Sequence, residues 1–164
     1  VSKLKFDFPD RWRQILTVTG GGSKQTMIYR IFNFDDVERA WWDNYNGSGF
    51  KIEDAWIQVS FNGYKLAMTH YTLGNGSEEK NNHQPRKWIV EASNDGQHWE
   101  EVDSKKTQQM NTIFPVVNFK LPQQTEPFSM FRWKMLENHT PKKKKNQYEF
   151  NITALEMFGI LIPT

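Results

Sequence analysis

Short segments in which apolar and polar residues alternate constrain the fold of this chain most. The alternation has a period of two in residues 54–61, 87–93 and 130–136. Such a period places every second side chain on the same face of an extended strand. Asn62-Gly63 and Asn94-Asp95-Gly96 follow the first two segments and are typical of tight hairpin turns. The pattern predicts antiparallel strands that each bury one face.

The apolar positions of these segments are the predicted core. They are Ala55, Ile57, Val59 and Phe61 in the first segment, Trp88, Val90 and Ala92 in the second, and Phe131, Trp133 and Met135 in the third. We predict that Trp99, on the strand that returns from the second turn, folds back onto the same core as Trp88.

Several more strands complete the prediction. They cover residues 13–19, 64–73, 99–102, 117–121 and 154–160. About eight short strands separated by turn residues are typical of an all-β sandwich or jelly roll. Both termini are strand-like, so we expect them to pair within the sheets. The one helical candidate is a single turn over residues 35–42, which Asp35 could cap.

The length of 164 residues fits one domain, residues 1–164. No apolar run approaches the length of a transmembrane helix, and the first five residues do not resemble a signal peptide. Because the chain starts with Val1 rather than Met, we expect it to be a fragment or a processed product.

The chain has no cysteine, which excludes structural disulfides, thiolate metal sites and cysteine nucleophiles. A missing disulfide favours a reducing compartment, so we expect a cytoplasmic protein, with an extracellular one as the alternative. The formal net charge is only +2, so the chain as a whole lacks the positive charge typical of proteins that bind nucleic acid or an anionic membrane.

The segment from Trp88 to Trp99, with Glu91, Ser93 and the Asp95-Gly96 pair between them, resembles a pattern of the discoidin family. This family is also known as the coagulation-factor C-type or galactose-binding-like domains. Three further segments resemble it in the family order: residues 33–42, residues 131–134 and residues 154–159. The likeness is greatest to the cysteine-free intracellular members. It implies a jelly-roll β-sandwich that takes its ligand at loops on one end.

Two predicted loops carry the candidate ligand-binding residues. The first, residues 74–86, is long and polar, and its Asn81, Asn82, His83 and Arg86 could hydrogen-bond a sugar or a peptide. A solvated insertion is the alternative. On the second loop, an exposed Trp42 or Tyr45 could stack on a sugar ring or anchor a protein. We expect Trp42 to be more exposed than Trp41.

Asp35 and Asp36 could offer oxygen ligands to calcium, but they lack the spacing of a dedicated calcium loop, so surface carboxylates are the preferred interpretation. The basic run Lys142, Lys143, Lys144 and Lys145 is interpreted as a solvated hairpin loop rather than an import signal. Four Asn-x-Ser/Thr sequons, at Asn46, Asn75, Asn138 and Asn151, are given little weight.

The sequence predicts no catalytic residue, because the four histidines lack metal-ligand spacing and no nucleophile motif is present. No cofactor is expected. The first functional hypothesis is therefore a non-catalytic module that binds a protein partner within a larger multidomain protein. The alternative is a carbohydrate-binding module, for which an exposed aromatic residue and Asn, His and Arg side chains are all available.

Overall fold

The structure is a computed structural model. It describes residues 1–22, 25–32, 42–45, 47–75, 83–113, 115–140 and 148–164. None of the helices in these residues is long and apolar enough to cross a membrane.

The N-terminus is helical, so the expectation of a pairing strand was wrong there. Helix α1 is Ser2–Asp7 and helix α2 is Trp12–Ile15. Helix α1 places Lys3 and Asp7 one turn apart, with Lys3 Nζ 2.9 Å from Asp7 Oδ2, and buries Leu4 in the core. Residues four apart lie on one face of a helix, which lets this short segment make both contacts.

The remaining elements are strands and short 3-10 helices. The strands are β1 Leu16–Gly20, β2 Trp42–Asp43, β3 Trp56–Phe61, β4 Tyr64–Gly74, β5 Pro85–Ser93, β6 Glu100–Lys106, β7 Val116–Lys120, β8 Met130–Asn138, β9 Asn151–Ile152 and β10 Ala154–Pro163. The 3-10 helices are Gln25–Phe32 and Ile52–Asp54. Gly63 has a φ of 73° in the predicted turn between β3 and β4.

Two antiparallel sheets form the predicted sandwich. The first has the strand order β1-β3-β8-β5-β6, and the second has the order β10-β4-β7. Strands β2 and β9 form a separate two-stranded pair. All pairings between these strands are antiparallel, which confirms the predicted fold class.

The predicted core faces of β3, β5 and β8 are confirmed, since every apolar residue assigned to them is buried. The core between the sheets is strongly aromatic. The Tyr71 ring lies 5.5 Å from the Trp133 ring, edge to face, and the Trp88 ring lies 4.9 Å from the Phe119 ring. Such edge-to-face pairs add to the stabilisation that burial alone supplies.

A buried chain of hydrogen bonds links the two sheets through this core. Trp88 Nε1 on β5 donates to the Tyr71 hydroxyl on β4 at 2.8 Å, and that hydroxyl donates to Asp103 Oδ2 on β6 at 2.8 Å. Lys105 Nζ lies 2.5 Å from the other oxygen of Asp103. Burial, and then the Asp103 carboxylate, raise the pKa of the Tyr71 hydroxyl far above its ordinary value.

The prediction that Trp99 packs into the core was wrong. Its ring lies on the outer face of the five-stranded sheet, where the Arg132 guanidinium stacks over it at 3.9 Å. The register explains the difference. Val90 pairs with Asp103 and Glu91 with Glu101, so β6 has one extra residue, Val102. Such a bulge reverses the faces of all preceding residues and turns Trp99 outward.

The strand directions give the sandwich two distinct ends. Strands β1, β4, β6 and β8 finish at one end, which we call the loop end, and β3, β5, β7 and β10 begin there. The opposite end, the turn end, carries the β3–β4 and β5–β6 turns. Of the predicted site residues, Trp42, Tyr45, His83 and Arg86 are described, and they lie at the loop end.

Candidate functional site

The structure brings the described candidates to the loop end. Trp42 begins β2, and its backbone pairs with Ile152 on β9. Tyr45 follows β2, His83 precedes β5, and Arg86 lies within β5. Arg86 is therefore a strand residue and not part of the loop, which begins after Gly74 and ends before Pro85.

Other predictions fall outside the described residues. They are the site candidates Asn81 and Asn82, the calcium candidates Asp35 and Asp36, most of the helical turn, the Trp41 and Trp42 side chains, and the basic run Lys142, Lys143, Lys144 and Lys145. Within the described part of the chain, no three His, Asp or Glu side chains are grouped so that they could hold a metal ion.

Tyr45 presents an aromatic surface at the loop end. Its side chain is exposed, and its ring packs edge-on against Phe50 with 5.3 Å between the centroids. The Tyr45 hydroxyl donates to the Gly47 carbonyl at 3.3 Å, and its backbone amide donates to Asp43 Oδ1 at 3.0 Å. The ring is thus held in place while one side stays open to solvent.

A fully buried asparagine, Asn44, fixes the backbone around Tyr45. Its Nδ2 donates to the carbonyls of Lys51, at 3.0 Å, and Tyr148, at 2.8 Å. Its Oδ1 accepts from the amide of Phe150 at 2.9 Å. Asn44 therefore joins the segment that carries Tyr45 to the segment that carries Tyr148.

Tyr148 is a candidate that the sequence analysis missed. Its side chain is 42% exposed, close to the 39% of Tyr45. It precedes the buried Phe150 and follows a lysine-rich run, so the sequence around it gives no strand periodicity. The one feature that could have identified Tyr148 from the sequence is that it is an aromatic residue within an otherwise polar connection.

Two further buried asparagines brace this end. The Asn75 side-chain amide donates to Asn151 Oδ1, and Asn138 Nδ2 donates to the Glu149 carbonyl at 2.6 Å. Asn75 is 2% exposed and Asn138 is 4% exposed. Both begin Asn-x-Ser/Thr sequons, and side-chain amides buried in this way are not accessible acceptors for a glycan.

His83 contacts Glu149 across the same region. The Nδ1 of His83 lies 3.0 Å from Glu149 Oε1, and both side chains are largely buried. Burial lowers the pKa of the His83 imidazole below its ordinary value. Burial, and then the Asp43 carboxylate, raise the pKa of Glu149. The contact between His83 and Glu149 joins the last residues before β5 to the segment that carries Tyr148.

Gln84 and Arg86 add polar groups beside this contact. Gln84 is fully buried, and within the described part of the chain neither its amide nitrogen nor its amide oxygen has a hydrogen-bond partner. Arg86 is half-buried, and its buried Nε has no partner among the same residues. A polar atom buried without a partner costs about 1–3 kcal/mol. Such atoms are uncommon in native proteins and call for an explanation.

Comparison with known proteins gives structural matches only. No protein-family model matches the sequence, and no curated protein matches it. The F5/8 type C domain of a Bacteroides fragilis protein superposes with a TM-score of 0.66 at 10% identity, over 90% of this chain and 93% of that chain.

Among the matches from Clostridium perfringens, two examples solved with sugars are the following. One is a family 32 carbohydrate-binding module in complex with GalNAc-β-1,3-galactose, with a TM-score of 0.57 at 13% identity over 88% of this chain and 94% of that chain. The other is the family 32 module of NanJ in complex with galactose, with a TM-score of 0.58 at 11% identity over the same shares. The chain thus has the galactose-binding-like fold of F5/8 type C (discoidin) domains and family 32 carbohydrate-binding modules, which confirms the resemblance at the level of the fold.

Proposed function

We propose that this chain is a non-catalytic carbohydrate-binding module whose site is the loop end. One observation carries the proposal. Two exposed tyrosines, Tyr45 and Tyr148, are held on neighbouring segments by the buried Asn44, at the end that also carries His83 and Arg86.

The chemistry of this surface suits a sugar. A pyranose ring has an apolar face of C–H groups that packs on an aromatic ring, and a rim of hydroxyls that both donate and accept hydrogen bonds. Tyr45 and Tyr148 offer the aromatic faces. Arg86, which is half-buried, offers hydrogen-bond donors to the sugar hydroxyls.

The comparisons favour this proposal over the protein-interaction hypothesis. Modules of this fold from Clostridium perfringens have been solved with galactose and with a GalNAc-containing disaccharide. Exposed tyrosines also serve in protein interfaces, so the two hypotheses differ in whether a free sugar binds by itself.

Isothermal titration calorimetry with galactose and with GalNAc-β-1,3-galactose tests the proposal. We expect Tyr45→Ala and Tyr148→Ala each to weaken binding about three- to tenfold, because each removes one stacking contact. Phe6→Ala is the matched control, since Phe6 on α1 is an aromatic side chain that is 86% exposed. A glycan array without any signal, or tyrosine variants that bind as tightly as the Phe6 control, would refute the proposal.

A further inference from the structure

Strand β10 lies at one edge of the three-stranded sheet, and its far side pairs with no strand. The order of this sheet is β10-β4-β7, and in the described part of the chain β10 pairs with β4 alone. An edge strand presents a row of backbone N–H and C=O groups to which another extended chain can bond. Such an edge is therefore a candidate binding surface in its own right.

The backbone of Leu161 faces this free edge. Its register partner on β4 is Leu66, whose N–H and C=O both bond to Phe128 on the other side of β4. In an antiparallel pair, residues that bond to the partner strand alternate with residues whose backbone groups point away from it. The amide of Thr164, just after β10, donates to the Gly63 carbonyl at 3.0 Å, as this alternation requires. Leu161 therefore offers both a donor and an acceptor along the edge.

A cavity of about 690 Å³ extends along the same edge. Residues 156–163 of β10 contribute one wall, including Leu161, and α1 with the following Phe8 contributes another. Tyr64 and Leu66 on β4 are also part of the lining. We call this space, between α1 and β10, the β10 groove. Its volume and its mostly apolar lining are typical of binding pockets.

Among the described residues that line the β10 groove, the charged ones already have partners. Lys3 Nζ lies 2.9 Å from Asp7 Oδ2 on α1. The Ser2 hydroxyl donates to Glu156 Oε2 at 2.5 Å, and the Ser2 amide donates to the same carboxylate at 3.1 Å. The charges of the groove thus compensate one another, and the groove is complementary to an uncharged ligand rather than to an ion.

The outer face of β10 lacks the charges that usually protect an edge strand. Phe158, Ile160 and Ile162 are exposed on this face. Glu156, the only charged residue in β10, is buried. Natural proteins place lysines or other charges on exposed edges, because an uncharged apolar edge pairs readily with further strands. The composition of β10 therefore permits an added strand.

We propose that the β10 groove binds an extended, uncharged segment of another protein, which adds a strand to the sheet beside β10. An extended chain supplies N–H and C=O groups at the spacing of a strand edge, and its alternate side chains enter the apolar groove. A second copy of this chain fits less well, because α1 walls the groove where the neighbouring strands of a second sheet would lie. The proposal is independent of sugar binding, since neither Tyr45 nor Tyr148 lines the groove.

A fluorescein-labelled hexapeptide of alternating threonine and valine, acetylated and amidated, is a suitable probe. It is uncharged apart from the label and about 20 Å long when extended. We expect fluorescence anisotropy to show saturable binding. N-methylation of alternate residues removes the donors from one edge of the peptide and leaves those of the other edge. Of the two possible N-methylated peptides, one should bind at least about tenfold more weakly and the other within about threefold of the parent.

Protein variants locate the peptide in the β10 groove. Phe8→Ala removes part of the α1 wall and should weaken peptide binding about three- to tenfold. Phe6→Ala is the matched control, because Phe6 is 86% exposed and does not line the groove. Leu161→Pro removes the amide that faces the free edge and should weaken binding at least about tenfold, while the bonds between β10 and β4 remain. Urea denaturation establishes that each variant is folded before peptide is added.

The N-methylated peptides keep the test decisive even if a protein variant fails to fold. Equal binding of the two N-methylated peptides, or equal loss of both, would show that no single backbone edge is recognised and would overturn the inference. Absence of binding by the parent peptide would also overturn it and leave the carbohydrate proposal standing. A concentration-dependent dimer in sedimentation experiments that Leu161→Pro abolishes would identify a second copy as the occupant, which contradicts the proposal.

Discussion

At the scale of single residues, buried asparagine side chains hold the connections of the loop end together. In the sequence, these asparagines look like the polar residues of any exposed loop. Asn44, Asn75 and Asn138 are among the most buried polar residues of the described chain. Asn44 and Asn75 bond to segments far away in sequence, and Asn138 bonds across the connection that follows β8. An asparagine in a loop usually indicates a turn. Only the hydrogen bonds seen in the structure reveal that these side chains join separate segments.

Asn44→Ala tests the brace directly. The substitution leaves the carbonyls of Lys51 and Tyr148 and the amide of Phe150 without their partner, so we expect the free energy of unfolding to fall by about 2–4 kcal/mol. Urea denaturation measures this change. Asn118→Ala, at an exposed position on β7, is the control and should change stability by less than about 0.5 kcal/mol. Equal effects at the two positions would contradict the role of Asn44.

At the scale of elements, the register of β5 and β6 decides what the hairpin presents. The alternation correctly predicted that Trp88 faces inward, but it could not predict that Trp99 faces outward. The single extra residue Val102 reverses the faces of the residues that precede it on β6. The hydrophobicity of Trp99 does not decide between the inner and the outer face of the sheet. The same register sets Lys87 against Lys106, a pairing that follows from neither strand alone.

The link between the sheets is a second property of elements, and it predicts a pH dependence. Tyr71 has a pKa raised by burial and by Asp103, so the folded state holds its proton more tightly than the unfolded state does. Its contribution to stability is complete below the unfolded pKa of about 10 and is lost progressively as the pH rises above it.

Tyr71→Phe leaves Trp88 Nε1 and Asp103 without their shared partner, so we expect a loss of about 1–3 kcal/mol near neutral pH. The variant has no ionisable group at this position, so the stability difference from the wild type should shrink above about pH 10. Urea denaturation across this pH range measures the difference. A difference that stays constant, or widens, would contradict the buried network.

At the scale of the whole molecule, the sequence predicted the sandwich because strand alternation is local and repeated. The burial of residues such as Ile57, Val90 and Phe131 could be predicted from the period-two spacing of apolar residues alone. The N-terminal helices were missed because segments of six and four residues are too short to show helical periodicity.

The candidate site was predictable only in part. Tyr45, His83 and Arg86 were identified as polar or aromatic loop candidates, and the antiparallel order of the strands brings them to the same end. Tyr148 and Glu149 were not identified, because their roles depend on contacts between connections that are distant in sequence. Sheet topology, more than any motif, assembles this end of the molecule.

Titration of the isotope-labelled protein with GalNAc-β-1,3-galactose, followed by the backbone amide signals in NMR, is the most direct test that the loop end binds sugar. We predict that the perturbed amides cluster at Tyr45, Tyr148 and Arg86 and that those of residues 94–99, at the turn end, stay unchanged. Perturbations centred on residues 94–99, or spectra that do not respond at any sugar concentration, would contradict the account.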